Sequence, residues 1–349
     1  MHSIHISCSF GSDNGRVMRE PSFWWRKPGL TAALFSPVAA VYGAIAASRM
    51  ARQGFRAAVP VICVGNFTLG GSGKTPTAIA VARMLTDAGA RPFCLSRGYG
   101  GTLSGPVRVD VARHIAAEVG DEALLLARAA PTIVSRDRVA GAQAAVAAGA
   151  SVIVMDDGLQ NPSLTKDLTF AVVGGRRGIG NGRVFPAGPL RAPLAAQLAL
   201  VDALLIVDGA RDGGDIAAIG MARGIPVLLA KLVPDRSAIA ALNGNKVLAF
   251  AGIGDPEKFF ETVKAAGVVA PIAKPFPDHH HFTGEEAATL VMEAEHEGLT
   301  LLTTEKDHVR MSGDPLLAAL AAKTHALPVT LVFEEIEEVR RLLPAKAKG

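Results

Sequence analysis

A chain of 349 residues suits two domains of ordinary size, and 49% hydrophobic against 19% charged residues is too apolar a composition for disorder. Lys+Arg 36 against Asp+Glu 32 leaves +4, compatible with anionic small molecules or an anionic membrane but too slight to argue for nucleic acid, and 2 Trp with 2 Tyr disfavour a base-stacking platform. Cys8, Cys63 and Cys94 stand far apart, which excludes a disulfide framework and a cysteine zinc site and makes a reducing compartment the default.

The first 17 residues read as a polar tail, with Met18 as a second candidate start. Phe23, Trp24, Trp25, Arg26 and Lys27 follow, and then 21 uncharged residues, 28–48, before Arg49. A signal peptide, a membrane span and an interfacial helix compete for this stretch. Leu30, Leu34, Val38, Val41, Tyr42 and Ile45 recur at helical spacing with small residues between them, which favours a helix with one bulky face. The two tryptophans with Arg26 and Lys27 resemble an interfacial anchor, and Arg49, Arg52 and Arg56 are placed to meet anionic headgroups. A buried packing helix fits the pattern equally well. The signal-peptide reading loses to the nucleotide-type site that follows, since ATP is a cytoplasmic resource. Residues 18–57 are therefore expected to form an amphipathic, membrane-associated helical segment.

From residue 59 onward, apolar runs at 59–64, 92–95, 132–134, 151–155, 169–173, 203–207 and 226–230 alternate with Ala- and Leu-rich stretches. Short runs that are hydrophobic throughout belong to strands buried on both faces, the mark of a mainly parallel sheet covered by helices. The pattern pauses at Pro234-Asp235 and restarts, with strand or helix expected at 246–250, 256–266, 285–297, 299–303 and 328–333. The expected fold is α/β, with a P-loop NTPase-type domain over 58–235 and a smaller α/β domain over 236–349.

The sharpest signal runs from Val61 to Thr75. A buried strand feeds Thr68, Gly70, Gly71, Ser72 and Gly73, and Lys74-Thr75 open a helix. Loop amides in such a turn wrap a phosphate, Lys74 reaches the terminal phosphates and Thr75 ligates Mg²⁺. Thr68 stands where the strict pattern has glycine. The matching acids are Asp156 and Asp157, closing the apolar run 151–155; adjacent carboxylates there are poorly explained by packing. No Asn-Lys-x-Asp segment is present, since Lys306 and Asp307 are adjacent, so the base is adenine by exclusion.

Arg97-Gly98-Tyr99-Gly100-Gly101 follows a strand end, where open α/β sheets place ligands. Asp121 opens a helix and on spacing alone is a helix cap. The Gly- and Pro-rich loop 181–191 carries Asn181, Arg183 and Arg191, close behind Arg176 and Arg177, a set able to hold an anionic group. His279-His280-His281 invite a metal reading, but consecutive histidines cannot all face one ion in a regular element, and a loop supplying one catalytic histidine is at least as plausible.

In their order these motifs resemble the tetraacyldisaccharide 4′-kinases of lipid A biosynthesis, over about residues 19–333. The resemblance rests on the segment 64–76, the segment 96–100, Gly120-Asp121-Glu122, the segment 156–160, the segment 186–191, Asp278-His279 and Thr304-Glu305-Lys306-Asp307. It implies transfer of the γ-phosphate of ATP, with Mg²⁺, to the 4′-hydroxyl of a tetraacylated glucosamine disaccharide 1-phosphate on the cytoplasmic face of the Gram-negative inner membrane. No nucleic acid and no obligate protein partner are expected. Asp121 matches the acid that helps deprotonate the sugar, His279 its partner, Lys74 and Thr75 the phosphate and metal positions, and Asp156 and Asp157 the acids there. Arg97, Asn181 and Arg191 are expected on the acceptor. Leu190-Arg191-Ala192-Pro193 departs from the family's Leu-Arg-Glu-Pro, so no acidic role carries over. Asp121 and His279 fall in different expected domains, and pairing them would require the domains to close. The competing classes are a P-loop metallochaperone or regulatory NTPase using the histidines, and a structural membrane adaptor without turnover.

Overall fold

The structure is a computed structural model and describes residues 20–209 and 215–344; the tail at 1–17 lies outside the described residues. Among the described residues the strands are β1 (Val61–Gly65), β2 (Pro92–Ser96), β3 (Val107–Arg108), β4 (Thr132–Val134), β5 (Val152–Asp156), β6 (Leu168–Gly174) and β7 (Ala203–Val207). They continue with β8 (Val227–Pro234), β9 (Val247–Ala251), β10 (Ile272–Pro275), β11 (Thr300–Thr304), β12 (Thr324–Leu327) and β13 (Val329–Phe333). The larger sheet has the order β13-β8-β7-β6-β1-β5-β2-β4-β3, and the smaller β10-β9-β11-β12. From β8 to β4 every pair in the large sheet is parallel, with antiparallel β13 and β3 at its edges.

Strands β1, β2, β5 and β7 are buried at every position, which is why their sequences are apolar without alternation. The register sets Val64 beside Asp156 and Gly65 beside Ala171, so the end of β1 and the acids after β5 meet at one rim of the sheet. On one face the Lys74–Asp87 helix buries Ala78, Val81, Ala82 and Leu85, spaced by three and four residues, against β1, β5 and β6.

One strand lies elsewhere than its place in sequence implies. β13, grouped by order with the second set, leaves the small sheet and pairs antiparallel with β8, while Leu331, Phe333, Val339 and Leu343 enter the large core. Without it the outer edge of β8 would expose a row of unpaired backbone groups. Strands β10 and β12 were not anticipated, because β10 is short and half-exposed on alternate residues and β12 carries a histidine in a four-residue run.

The Leu30–Met50 helix packs in an unusual sense. It turns Ala32, Ala39 and Gly43 inward and leaves Leu30, Leu34, Val38, Val41 and Ile45 exposed. A Cβ on Gly43 would sit 3.3 Å from Pro193, so small residues let the helix lie close to the body. It is apolar on both faces rather than amphipathic. The tryptophans do not point outward as anchors either. Trp24 is buried and donates its indole N–H to the Pro186 carbonyl (3.1 Å), and Arg177 stacks 4.9 Å from the Trp25 ring.

Leu331→Ala is expected to destabilise the protein by about 2–5 kcal/mol in urea unfolding, while Val332→Ala on the exposed side of the same strand stays within ~1 kcal/mol. Equal effects would mean that β13 is not part of the large core.

Candidate active site

Between β1 and the Lys74–Asp87 helix the chain makes a phosphate-sized turn. Gly73 precedes the helix at φ +93°, a left-handed conformation that a side chain would strain. Thr68 has no such need, being absent from the left-handed residues, and is fixed instead by a backbone bridge to Leu190 and by donation from Arg191 Nε to its carbonyl (2.9 Å). Lys74 is buried, with Nζ 3.9 Å from Asp157 Oδ1. Thr75 Oγ1 donates to Asp156 Oδ2 at 3.4 Å.

Asp156 Oδ1 and Ser72 Oγ are buried and have no hydrogen-bond partner among the described residues. A buried carboxylate oxygen left open beside a threonine hydroxyl and a lysine is costly unless something binds it. Its hard oxygen donors fit Mg²⁺ accompanying a nucleotide phosphate. Burial, then the charges of Glu122 and Asp157, push the Asp156 carboxyl from 3.8 up to about 7, against Lys74 and Arg138. Asp157 goes the opposite way. Burial would raise it, but Arg191, 2.8 and 3.0 Å from its two oxygens, and Lys74 hold it well below the usual carboxylate range. Its backbone is left-handed at φ +50°, a strained turn that aims the carboxylate at these cations.

Asp121, 4% exposed, is the first residue of the Asp121–Ala127 helix, which packs against the Lys74–Asp87 helix. It is not a side-chain cap. Gly120 ahead of it sits at φ +86°, where a Cβ would meet the Tyr99 carbonyl 2.5 Å away, so the 97–101 loop and the helix start are pressed together. Asp121 Oδ1 accepts the Glu122 N–H (2.7 Å), and Oδ2 lies 3.5 Å from His279 Nδ1. The Tyr99 ring packs 4.7 Å from the His279 imidazole. Asp121 belongs to the part of the chain that builds the large sheet and His279 to the part that builds the small one, and the two are paired in this structure.

The Glu305–Met311 helix of the small sheet supplies what the sequence reading missed. Arg310 Nε and Nη2 both donate to Asp121 Oδ2 (3.1 and 2.6 Å), while its Nη1 donates to Asp307 Oδ1 at 2.7 Å. Lys306 Nζ donates to Glu122 Oε1 (3.0 Å) and lies 3.4 Å from His279 Nε2. Against burial, which would raise it, Lys306, His279 and Arg310 hold the Asp121 carboxyl far below its ordinary range. The available signal was Thr304-Glu305-Lys306-Asp307, recognisable as a motif but carrying no role.

The remaining residues divide. Arg97 is exposed at the end of β2. Arg191 is placed at Asp157 and the Thr68 carbonyl, against the P-loop and the acid after β5. Asn181 is engaged within its own loop, donating to the Ala187 carbonyl (2.9 Å) and accepting from the Arg183 N–H (3.0 Å). The three histidines do not converge. His279 faces Asp121, His280 Nε2 lies 3.0 Å from both Glu286 oxygens and His281 is exposed. Among the described residues no group of three His, Cys, Asp or Glu side chains is set to hold a metal ion, which leaves the metallochaperone reading without a site.

A P-loop at the end of a parallel strand, a neighbouring pair of acids and a buried aspartate paired with a half-buried histidine define a phosphotransferase of the P-loop class. The chain belongs to the tetraacyldisaccharide-1-P 4′-kinase family, whose profile matches residues 31–348. It is 59% identical over 333 residues to a tetraacyldisaccharide 4′-kinase of Methylobacterium sp. (strain 4-46), covering 95% of this chain and 99% of that one. A Nitrobacter winogradskyi protein of the same name is 55% identical over 326 residues, covering 93% of this chain and 97% of its own. Among solved structures, LpxK from Aquifex aeolicus in complex with ATP is similar at a TM-score of 0.70 and 26% identity, over 90% of this chain and 98% of that one.

The raised Asp156 carboxyl has a consequence for stability. A carboxyl whose proton affinity is higher folded than unfolded costs stability as pH rises from about 4 to about 7, at about 1.4 kcal/mol per pK unit, and the cost is complete above 7. Asp156→Asn is therefore expected to raise the melting temperature at pH 8, by roughly 2–4 °C per kcal/mol relieved, with a smaller gain at pH 5 and with loss of turnover. A lower melting temperature at pH 8 would show that the open carboxylate is not a burden.

Proposed function

We propose that this protein transfers the γ-phosphate of ATP to the 4′-hydroxyl of a tetraacylated glucosamine disaccharide 1-phosphate in lipid A biosynthesis. The family and its relatives support the reaction, and one structural observation supports the roles of the residues. The Asp121–Ala127 helix packs against the Lys74–Asp87 helix that the phosphate loop opens, which supports an acid–histidine pair acting beside the phosphate site. The sugar oxygen attacks the γ-phosphorus, the bond to the β–γ bridging oxygen breaks and ADP leaves. The hydroxyl proton passes to the Asp121–His279 pair. Lys74 and the amides of 68–75 neutralise phosphate charge, and Arg191 fixes Asp157 beside them. Thr75 and Asp156 would hold Mg²⁺, which supplies further neutralisation of the β- and γ-phosphates when bound. Arg97, exposed at the end of β2, is assigned to the acceptor. The two sheets correspond to a P-loop kinase domain and a smaller domain, with 329–344 returning to the first.

The exposed side of the Leu30–Met50 helix supports a membrane location. A row of large apolar residues facing outward on a helix long and apolar enough to cross a bilayer is unfavourable in water and suited to lipid. Exposed Arg26, Lys27, Arg49 and Arg52 flank it. We read it as holding the site at the cytoplasmic face of the inner membrane, where ATP and an acylated sugar meet.

Label transfer from γ-labelled ATP to the tetraacyl disaccharide 1-phosphate in detergent micelles tests the reaction. Mg²⁺-dependent labelled lipid is expected. Asp121→Ala should lower kcat by about 10²-fold or more with ATP affinity kept, whereas Lys74→Ala should impair both; equal loss of ATP binding in the two would remove Asp121 from the role given it. Combined Leu34→Ser, Val38→Ser and Val41→Ser substitutions should abolish sedimentation with anionic vesicles while leaving ATP binding intact, and undiminished sedimentation would dismiss the helix as the anchor.

A further inference from the structure

Arg310 is placed at the point where the two sheets meet over the acid–histidine pair. Its side chain is 5% exposed, and all three of its nitrogens are engaged. Nε and Nη2 converge on Asp121 Oδ2, the same oxygen that His279 Nδ1 approaches. Nη1 is held by Asp307 Oδ1 and by the carbonyls of Gly252 (3.2 Å) and His280 (3.1 Å). Asp307 is itself fixed, its Oδ2 accepting from the Gly252 N–H (3.0 Å) and the Thr304 hydroxyl (2.7 Å). The chain of contacts therefore runs from the loop after β9, through Asp307 and the forked guanidinium, to one oxygen of Asp121.

We propose that Arg310 is a positioning residue for phosphoryl transfer, clamping Asp121 Oδ2 at His279 Nδ1 so that Oδ1 and the imidazole are presented to the sugar hydroxyl. The inference rests on the assignment of Asp121 and His279 as the proton-accepting pair. A planar fork fixes both distance and orientation, which a point charge does not. Thr304 and Asp307 of that motif then act on the pair through Arg310, whereas Lys306 lies against His279 directly. Other charged or titratable groups face the pair from every side: Tyr99 on the 97–101 loop, Glu122 on the Asp121 helix, Asp278 and His281 on the loop before the Gly284–His296 helix, and Lys306 and Asp307 beside Arg310.

The simpler role for such a contact is to fasten the two sheets, and the dependence of kcat on pH separates the two. Removing the cation lets the Asp121–His279 pair hold its proton more tightly, so Arg310→Gln should move the acid limb of kcat to higher pH by about 1 unit or more, with Kd for ATP unchanged. Arg310→Lys should return the limb to its wild-type position while kcat stays below wild type, because the charge is restored and the fork is not. A uniform fall in kcat for both variants, with the limb in place and the melting temperature lowered, would overturn the proposal in favour of a fastener. Should Arg310→Gln fail to fold, Arg310→Lys decides alone: wild-type kcat overturns the proposal, and a fall in kcat at unchanged melting temperature and Kd for ATP supports it. Asp121→Ala and His279→Ala measured alongside keep the two levels apart. If these retain turnover, the pair itself is misassigned; if they lose it while both Arg310 variants match wild type, only the role of Arg310 fails.

Discussion

Asp121 carries its charge in a place from which water is nearly excluded, and the two sheets meet as they do around that charge. An isolated ionised carboxylate there would cost several kcal/mol, so it has to be met by donors of good geometry. The large sheet provides the acid and one N–H, while the small sheet provides Arg310 and His279. Neither sheet completes the arrangement by itself. The Glu305–Met311 helix bears the cation and also buries Val309 with Val119, Ala123 and Leu124, so apolar packing and charge pairing hold the same junction. Removing one partner of such a pair is more damaging than never having had it, because the other is left buried and unpaired.

At the end of β5, two more carboxylates are treated in opposite ways. Asp157 is met by Arg191 and Lys74 and stays ionised, whereas Asp156 shares its surroundings with Glu122 and Asp157 and has one oxygen open. The difference follows from position: Asp156 is the last residue of a strand buried on both faces, and Asp157 lies one step beyond it in a left-handed turn. A carboxyl that is uncomfortable by itself gains most from an incoming cation, since binding relieves both its desolvation and its neighbours' repulsion.

Much of this was legible in the sequence. Strands with unbroken apolar runs, such as Val61–Gly65 and Ala203–Val207, announce a sheet covered on both faces, and glycines before Lys74-Thr75 announce the turn. The pairing of Asp121 with His279 was accessible only through a resemblance, because 158 positions of chain separate 121 from 279 and spacing says nothing across that distance. Arg310 was hidden for a plainer reason: a lone arginine on a short helix looks like any solvated charge until its burial is seen. Arg191 and Asn181 show the converse. Their sequence context marked a shaped loop correctly, but where each side chain points depends on the bridge between Thr68 and Leu190 and on loop-internal hydrogen bonds. β13 was misplaced because strand order along the chain carries no information about which sheet edge needs covering.

The Leu30–Met50 helix reverses the usual relation between sequence pattern and core. Recurrent large apolar residues normally mark the face turned to the protein interior, yet here that interior is reached by Ala32, Ala39 and Gly43 while Leu34, Val38 and Val41 stand outside. Close approach of backbones through small residues is how helices associate where apolar burial between them gives no advantage, as in lipid. The same stripe can thus be read two ways from sequence, and only the identity of the residues turned inward separates them. Trp24 then has a different task from the anchor its position implied. Buried against Phe185 and bonded to the Pro186 carbonyl, it ties the segment ahead of the helix to the loop carrying Arg191. That loop reaches Asp157 and the Thr68 carbonyl, so the Leu30–Met50 helix and the P-loop are joined by one continuous set of contacts.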